Sequence, residues 1–263
     1  MKQLIINADD LGLTPGITRG IMDAHLKGVV TSTSALMNSP YIINSLALAK
    51  QVAPNLGIGV HLVLTRGKPL LPPDDVPTLV DRHWNFYKLH QLIKRVENLN
   101  LTEVHAEWQA QIEAFIATGR QPDHLDSHHH SSYSNQGLFT VMLELAREYN
   151  LPIRHPSIPE NEYPGNETMN AVLGKYSIRS PQVCITSFYG QAVNMANLAV
   201  ILSTIPKGVS ELMCHPGYAD SELIKGSSYN TAREQELHLL TSLEAKAALE
   251  NNQVRLTSFS TLC

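Results

Sequence analysis

The chain has 263 residues, of which 43% are hydrophobic and 6% are aromatic. A single (β/α) barrel routinely uses about 200 to 250 residues, so we expect one domain over residues 1–263. The formal net charge is -4, and no long run of Lys or Arg occurs, which argues against nucleic acid as the main partner.

Features that direct a chain to a membrane are not found in the sequence. The apolar run at the amino terminus is far too short for a signal peptide, and no stretch approaches the roughly 18 apolar residues of a membrane span. Three widely spaced cysteines, an odd number, suit reduced thiols. We therefore expect a cytoplasmic protein with no membrane partner.

Strand-like and helix-like segments alternate along the chain. Short apolar runs predict strands at residues 2–8, 33–37, 56–64, 122–127, 151–154, 183–186, 210–214 and 254–257. Helical periodicity predicts helices at residues 15–27, 41–51, 84–97, 102–118, 138–149, 194–203 and 231–249. Two segments rich in Pro, Gly and polar residues, 65–83 and 157–181, are predicted to be surface loops.

This alternation is typical of a parallel α/β fold. Seven or eight mainly parallel strands favour a distorted, single-domain (β/α) barrel, and a doubly wound sheet is the alternative. No Gly-rich phosphate-binding fingerprint follows the first predicted strand, which disfavours the doubly wound sheet.

Residues that carry chemistry follow several of the predicted strands. Asp9 and Asp10 close the first strand, His61 lies near the end of the third, and His215 follows the seventh. The strand ends of a barrel open on one face, so we expect these side chains to converge there. Adjacent carboxylates at a strand end point in different directions, so one can bind a metal while the other faces the substrate.

The sequence around His61 is Gly57-Ile58-Gly59-Val60-His61-Leu62. Alternation places the two glycines and His61 on one side of the strand, and the glycines permit close approach of another group. A hydrogen-bonded core residue is the plainer interpretation of a lone strand histidine, and a metal ligand is the alternative.

Residues 124–130 read His-Leu-Asp-Ser-His-His-His. On a strand, His124, Asp126 and His128 share one face and offer up to three ligand atoms. On this parity we favour His128 over His129 and His130 as a ligand, with Asp126 orienting an imidazole N–H. A surface cluster with adventitious metal affinity is the alternative.

Two further residues lie at predicted strand ends. His215 follows an apolar strand and precedes Pro216-Gly217, a position that suits a metal ligand, a general acid or a turn residue. Arg154 ends the fifth predicted strand and is a candidate for steadying a carboxylate or an oxyanion.

One carboxylate and two imidazoles beside a labile water form a catalytic metal site. Such a metal lowers the pKa of its water toward about 7 and polarises a carbonyl. Asp9 and His215 are then left to move protons on either side, an arrangement that suits amide hydrolysis.

These motifs together resemble the YdjC-like carbohydrate deacetylases, which include chito-oligosaccharide deacetylases. They occur in order over nearly the whole chain, with Leu11 where the family motif has Phe. The matching segments are Asn7-Ala8-Asp9-Asp10-Leu11-Gly12, Val30-Thr31-Ser32-Thr33, Gly59-Val60-His61-Leu62, residues 124–130 and His215-Pro216-Gly217.

The resemblance implies a distorted (β/α) barrel that removes acetyl groups from small N-acetylglucosamine-type sugars. It implies that Asp10, His61 and His128 bind one divalent metal ion, with Asp9 as general base and His215 as general acid. It also implies magnesium and a homodimer, whereas two imidazole ligands favour zinc or another transition metal.

Two other functions are open at this point. A glycosidase that cleaves a phosphorylated disaccharide needs two carboxyl groups across the glycosidic bond, which the adjacent Asp9 and Asp10 reach with difficulty. A non-catalytic sugar- or metal-binding protein needs neither Asp9 nor His215 beside the metal.

Overall fold

The computed structural model describes residues 1–156 and 169–263 of the chain. Within these residues seven strands form one sheet in which every strand pair is parallel. The strands are β1 (Lys2–Leu11), β2 (Ser32–Ala35), β3 (Gly57–Leu62), β4 (Leu125–Ser127), β5 (Val183–Ile185), β6 (Gly208–Cys214) and β7 (Val254–Thr257).

Ten α-helices connect these strands in the described part of the chain. They are α1 (Pro15–Leu26), α2 (Ile42–Val52), α3 (Leu89–Arg95), α4 (Leu101–Ile116), α5 (Gln136–Glu148), α6 (Met169–Tyr176), α7 (Met195–Thr204), α8 (Ser221–Gly226), α9 (Ala232–Leu240) and α10 (Leu243–Asn251). None of these helices is long and apolar enough to cross a membrane.

The longest strand, β1, is the centre of the sheet. The strand order is β4-β3-β2-β1-β6-β5, and β7 pairs with the first half of β1. A flat sheet in this order would separate β4 from β6 by about 19 Å, at about 4.8 Å per strand. Arg154 lies in a segment beside β4, next to the bridge between Ile153 and Leu125. It nevertheless donates a hydrogen bond to Glu211 on β6 at 2.8 Å. The sheet is therefore curled, and the predicted distorted (β/α) barrel is confirmed.

The predicted strand at residues 151–154 is reduced to a single bridge, between Ile153 and Leu125. Leu125 N–H donates to Pro152 O, and Arg154 N–H donates to Leu125 O, both at 3.0 Å. Ile153 N–H donates on the other side to Arg179 O at 2.9 Å. This short segment lies along β4 at the open edge of the barrel and places Arg154 in the interior.

Local signals explain where the helices begin. The side chain of Thr14 accepts the Ile17 N–H at 3.2 Å and Pro15 occupies the first turn of α1. In α5 the buried residues Leu138, Met142 and Leu145 recur at helical spacing. Burial of each such side chain contributes about 1.5 to 3 kcal/mol.

The structure differs from the predicted helices and loops in four places, and the first is α8, a short helix that was not predicted. The helix predicted at residues 231–249 is two helices, because Ser242 accepts the Ala245 N–H and caps a separate α10. The helix predicted at residues 84–97 is limited to α3. Part of the predicted loop 157–181 is helical, namely α6, and residues 157–168 lie outside the described residues.

Helix α4 anchors the loop predicted at residues 65–83. The buried carboxylate of Glu107 accepts the N–H groups of Leu70 at 2.9 Å and Leu71 at 3.0 Å. One turn later, Gln111 accepts the Val63 N–H at 2.8 Å. These bonds attach the start of the loop to a helix, directly after the strand that carries His61.

Candidate metal centre and active site

The end of β1 carries two adjacent carboxylates on a distorted backbone. The pairing of β1 with β2 shifts register between Ala8 and Leu11, and Asp10 has φ 75°. A left-handed conformation is unfavourable by about 1 to 2 kcal/mol for a residue with a side chain. The irregularity cancels the strict alternation of a strand, so both Asp9 and Asp10 line the same cavity.

Asp10, His61 and His128 face one point in that cavity. Their ligand atoms all lie within 4.8 Å of one another. Oδ1 of Asp10 is 3.0 Å from Nδ1 of His128 and 3.5 Å from Nε2 of His61. All three side chains are buried.

The Oδ1 atom of Asp10 has no partner in hydrogen-bond geometry within the described part of the chain. A buried polar atom left in this way is unfavourable by about 1 to 3 kcal/mol. A divalent cation among the three side chains removes that penalty, and one carboxylate with two imidazoles is a known catalytic donor set. The residues present therefore fit a metal ion.

A neighbouring carboxylate orients His61. Oδ1 of Asp126 lies 2.7 Å from Nδ1 of His61, and Oδ2 of Asp126 accepts a hydrogen bond from Ser34 at 2.9 Å. This contact leaves Nε2 of His61 to face Asp10. Carboxylates that hold the second nitrogen of a ligand histidine in this way fix its tautomer and ring orientation.

His128 begins a turn whose backbone is strained. His129 and His130 have φ 56° and 52°, and both also line the cavity. Nδ1 of His129 lies 3.0 Å from Oγ1 of Thr65. Burial, together with the nearby His128, lowers the pKa of His129 to about 3, so its ring is neutral at physiological pH. His129 and His130 thus line the cavity but do not belong to the group around Asp10.

Asp9 is held by an arginine. Arg154 donates two hydrogen bonds to Asp9, at 2.8 and 2.6 Å, and a third to Glu211. Burial by itself raises the pKa of Asp9, but the charge and hydrogen bonds of Arg154 outweigh it, so the pKa lies well below its usual range. Of the two roles predicted for Arg154, the structure displays contact with a carboxylate.

Asp9, His61 and Asp126 form a second group whose ligand atoms lie within 4.8 Å. Arg154 already supplies a positive charge to this group, since its guanidinium contacts both Asp9 and Asp126, the latter at 3.1 Å. The group around Asp10 is therefore the better candidate for a cation.

His215 lies on the other side of Asp9. Its Nε2 is 3.9 Å from Oδ2 of Asp9. Burial lowers the pKa of His215 to about 4, although the charge of Asp9 acts in the opposite direction. The rings of Tyr189 and Tyr229 meet His215 edge-on, with centroids 5.6 and 5.7 Å away.

Sequence reasoning missed the contribution of α9. Arg233 donates a hydrogen bond to Oδ2 of Asp10 at 2.6 Å and holds that carboxylate from the side opposite the histidines. Glu236 is completely buried behind His215. In the sequence, the only indication of this contribution is that Arg233 and Glu236 lie three positions apart, beside the apolar Leu237 and Leu240. That pattern is weak evidence for a functional role.

The described residues enclose an open cavity of about 380 Å³ at the carboxyl ends of the strands. Asp9, Asp10, His61, His128 and His215 all line it, so the structure brings the predicted strand-end residues together. Arg154 and Asp126 lie beneath them and hold Asp9 and His61.

Residues 3–251 match the family model described as YdjC-like protein. The chain belongs to the YdjC-like family. This confirms the resemblance seen in the sequence, and the match covers both aspartates and all the histidines of the cavity.

Relatives of this YdjC-like chain match it over its full length. A carbohydrate deacetylase of Enterococcus faecalis is 42% identical over 266 residues, which is 99% of this chain and 98% of the relative. A carbohydrate deacetylase of Thermoanaerobacter pseudethanolicus is 34% identical and matches 100% of both chains. A crystal structure from Enterococcus faecalis V583, described as a cellobiose-phosphate cleavage protein, superposes with a TM-score of 0.93 at 41% identity, covering 100% of this chain and 99% of that one.

Proposed function

We propose that this protein is a metal-dependent hydrolase that removes N-acetyl groups from small acetylated sugars, chito-oligosaccharides or their phosphates. The observation that carries the proposal is the convergence of Asp10, His61 and His128 around Oδ1 of Asp10, with Asp9 and His215 beside them. The names of the full-length relatives, carbohydrate deacetylases, point to the same reaction.

Asp10, His61 and His128 would hold the metal ion. When bound, a divalent cation supplies Lewis-acid activation of water and of the acetyl carbonyl. Family resemblance favours magnesium, but two imidazole ligands favour zinc or another transition metal, because magnesium prefers oxygen ligands.

Asp9 and His215 would divide the proton transfers between them. Arg154 keeps Asp9 ionised, so the Asp9 carboxylate is available to accept a proton from the attacking water. His215 lies across from Asp9 and would give its proton to the departing amine of the sugar. The ring must therefore be protonated before the carbon–nitrogen bond breaks.

Glycosidic cleavage is the second candidate, since a relative of known structure is described as a cellobiose-phosphate cleavage protein. That reaction needs a protonated carboxylic acid that reaches the sugar. The pKa values of Asp9 and Asp10 both lie below their usual range because each faces an arginine, despite burial that acts to raise them. Glu236, whose pKa burial raises to about 7, does not line the cavity. The site therefore favours deacetylation.

Product analysis separates the two reactions. The protein is incubated with N,N'-diacetylchitobiose and its 6-phosphate, and acetate and monosaccharide are measured in parallel. We expect acetate and a deacetylated disaccharide of unchanged length. Monosaccharide without acetate would show glycosidic cleavage instead, and a protein that binds the sugar without turnover would be a binding protein.

A further inference from the structure

A buried carboxylate, that of Glu236, lies behind His215 and has no role in the proposed reaction. Glu236 on α9 accepts the backbone N–H of His215 through Oε2. Its other oxygen, Oε1, lies 4.0 Å from Nδ1 of the same residue. The His215 ring thus has Asp9 on its Nε2 side and Glu236 on its Nδ1 side.

Two tyrosines fix the position of Glu236 and of the ring. Tyr229 O–H donates to Oε1 of Glu236 and accepts the Gly190 N–H at 3.2 Å. Tyr189 stacks on Tyr229 with ring centroids 4.1 Å apart, and both present their rings edge-on to His215. The two tyrosines thus pack against the His215 ring on the side that carries Glu236.

Nδ1 of His215 is buried and has no hydrogen-bond partner within the described residues. Burial without a partner is unfavourable for such a nitrogen. Oε1 of Glu236 lies about 1 Å beyond the usual N–H···O distance, so a small rotation of the ring closes the contact.

We propose that Glu236 is the positioning residue of His215, and that its carboxylate accepts the Nδ1–H and thereby holds the ring protonated for proton donation through Nε2. This inference rests on the proposed function, in which His215 is the general acid. Glu236 does not line the cavity, so it acts on the substrate only through His215.

The charges around His215 explain why such a partner is needed. Asp9 and Asp10 on β1 stabilise the charged ring, whereas Arg233 on α9 and Arg154 beside β4 oppose it. Burial adds to the opposition and lowers the pKa of His215 to about 4. Burial raises the pKa of Glu236 to about 7, so the Glu236–His215 pair keeps one proton up to about that pH, and a carboxylate beside Nδ1 acts in the direction that places this proton on the His215 ring.

The test measures the His215 ring directly by NMR in zinc-loaded, ¹⁵N-histidine-labelled protein. In the wild type we expect the neutral ring to carry its proton on Nδ1. In Glu236→Gln, which preserves the shape but removes the charge, we expect the pKa of His215 to fall by at least about one unit, a tenfold loss of proton affinity. The matched control is Glu107→Gln, another buried helix carboxylate, which contacts Leu70 and Leu71 and should leave His215 unchanged.

Activity provides a second measurement. The basic limb of kcat/KM against pH should move to lower pH in Glu236→Gln, with kcat reduced about tenfold above that limb and KM changed much less. An unchanged His215 pKa in Glu236→Gln would overturn the inference. If that variant does not fold, a neutral wild-type ring with its proton on Nε2 would overturn it equally.

The NMR measurement needs no turnover, so the two proposals fail separately. If the His215 pKa falls in Glu236→Gln but the wild type releases no acetate, the deacetylase proposal is contradicted and the pairing of His215 with Glu236 stands. If the wild type releases acetate but the His215 pKa is the same in Glu236→Gln, the deacetylase proposal stands and the role of Glu236 is contradicted.

Discussion

Asp9 and Asp10 are neighbours in sequence, but each faces a different arginine. Arg154 donates to both oxygens of Asp9, whereas Arg233 donates only to Oδ2 of Asp10. The proposed roles use this difference: Oδ1 of Asp10 is left to bind a cation, and the ionised Asp9 is left to accept a proton. This division of roles follows from the number of hydrogen bonds that each carboxylate receives.

The Asp126 carboxylate should matter for metal affinity because it fixes the ring of His61. We expect Asp126→Asn to weaken zinc binding by about 10- to 100-fold, measured by competition with a chelator. The control is Asp123→Asn, since Asp123 lies 2.6 Å from Nδ1 of His124, which is not in the metal group. Equal affinity in wild type and Asp126→Asn would contradict this role.

Glu236 should also make stability depend on pH. Burial raises its pKa from 4.5 to about 7, so the folded protein binds this proton more tightly than the unfolded chain. Its stabilising contribution is full below about pH 4.5 and falls by about 1.4 kcal/mol per pH unit until about pH 7. In metal-free protein, the unfolding free energy of wild type minus that of Glu236→Gln should fall over this range. If urea unfolding gives the same difference in unfolding free energy at pH 4.5 and at pH 7, the raised pKa of Glu236 is contradicted.

At the residue scale, the sequence predicts positions that follow strands and misses those that depend on backbone irregularity. Asp9, His61 and His215 could be placed at one face because parallel strands end there. The register shift at Asp10 could not be predicted, because Asp tolerates positive φ more often than most residues but adopts it in only a small fraction of cases. Arg233 could not be assigned, because its partner is 223 residues away.

Strand β3 needs a residue without a side chain at position 59, which is Gly59. A Cβ there would meet the ring of His124, which stacks on Phe259 with centroids 3.8 Å apart. The two glycines predicted to permit a close approach therefore make room for Asp123 and His124, which directly precede β4, and His61 follows in the next inward position.

Gly59→Ala should displace His124 or β3 and destabilise the protein by about 1 to 3 kcal/mol, measured by urea unfolding. It should also weaken zinc binding, because His61 is two residues further along the strand. Gly174→Ala in α6 is the control, since a Cβ there meets nothing within 4 Å. That change should be neutral or stabilise the helix by up to about 1 kcal/mol. Equal destabilisation in both variants would contradict the packing described for Gly59.

At the element scale, the order and type of most strands and helices could be predicted, but their lengths could not. The apolar pattern continues across Ser242, so it gives no sign that α9 ends and α10 begins there. Residues 151–154 read as a strand, yet they lie at the open edge, where only one bridge to Leu125 forms. Both differences come from tertiary contacts that a local pattern does not contain.

The curled sheet brings the three proposed metal ligands together. β1, β3 and the turn after β4 each supply one member of the group formed by Asp10, His61 and His128. Because the group exists only in the folded state, metal binding should stabilise the protein as a whole.

At a zinc concentration 100 times the Kd, the unfolding free energy should rise by about 2.7 kcal/mol. Asp10→Ala should abolish this increase, whereas Asp123→Asn should retain it. The measurement is urea unfolding with and without metal, and a similar zinc-dependent increase in Asp10→Ala would place the metal elsewhere.

The most direct test of the account is acetate release from N,N'-diacetylchitobiose by protein that has been stripped of metal and then reloaded. Magnesium, zinc, cobalt and nickel are compared, with Asp9→Asn as the variant that should retain metal and lose its proton acceptor. We expect no acetate without metal, release after reloading, and a loss of at least about 100-fold in Asp9→Asn at unchanged metal content. Full acetate release by the stripped protein, or by Asp9→Asn, would contradict it.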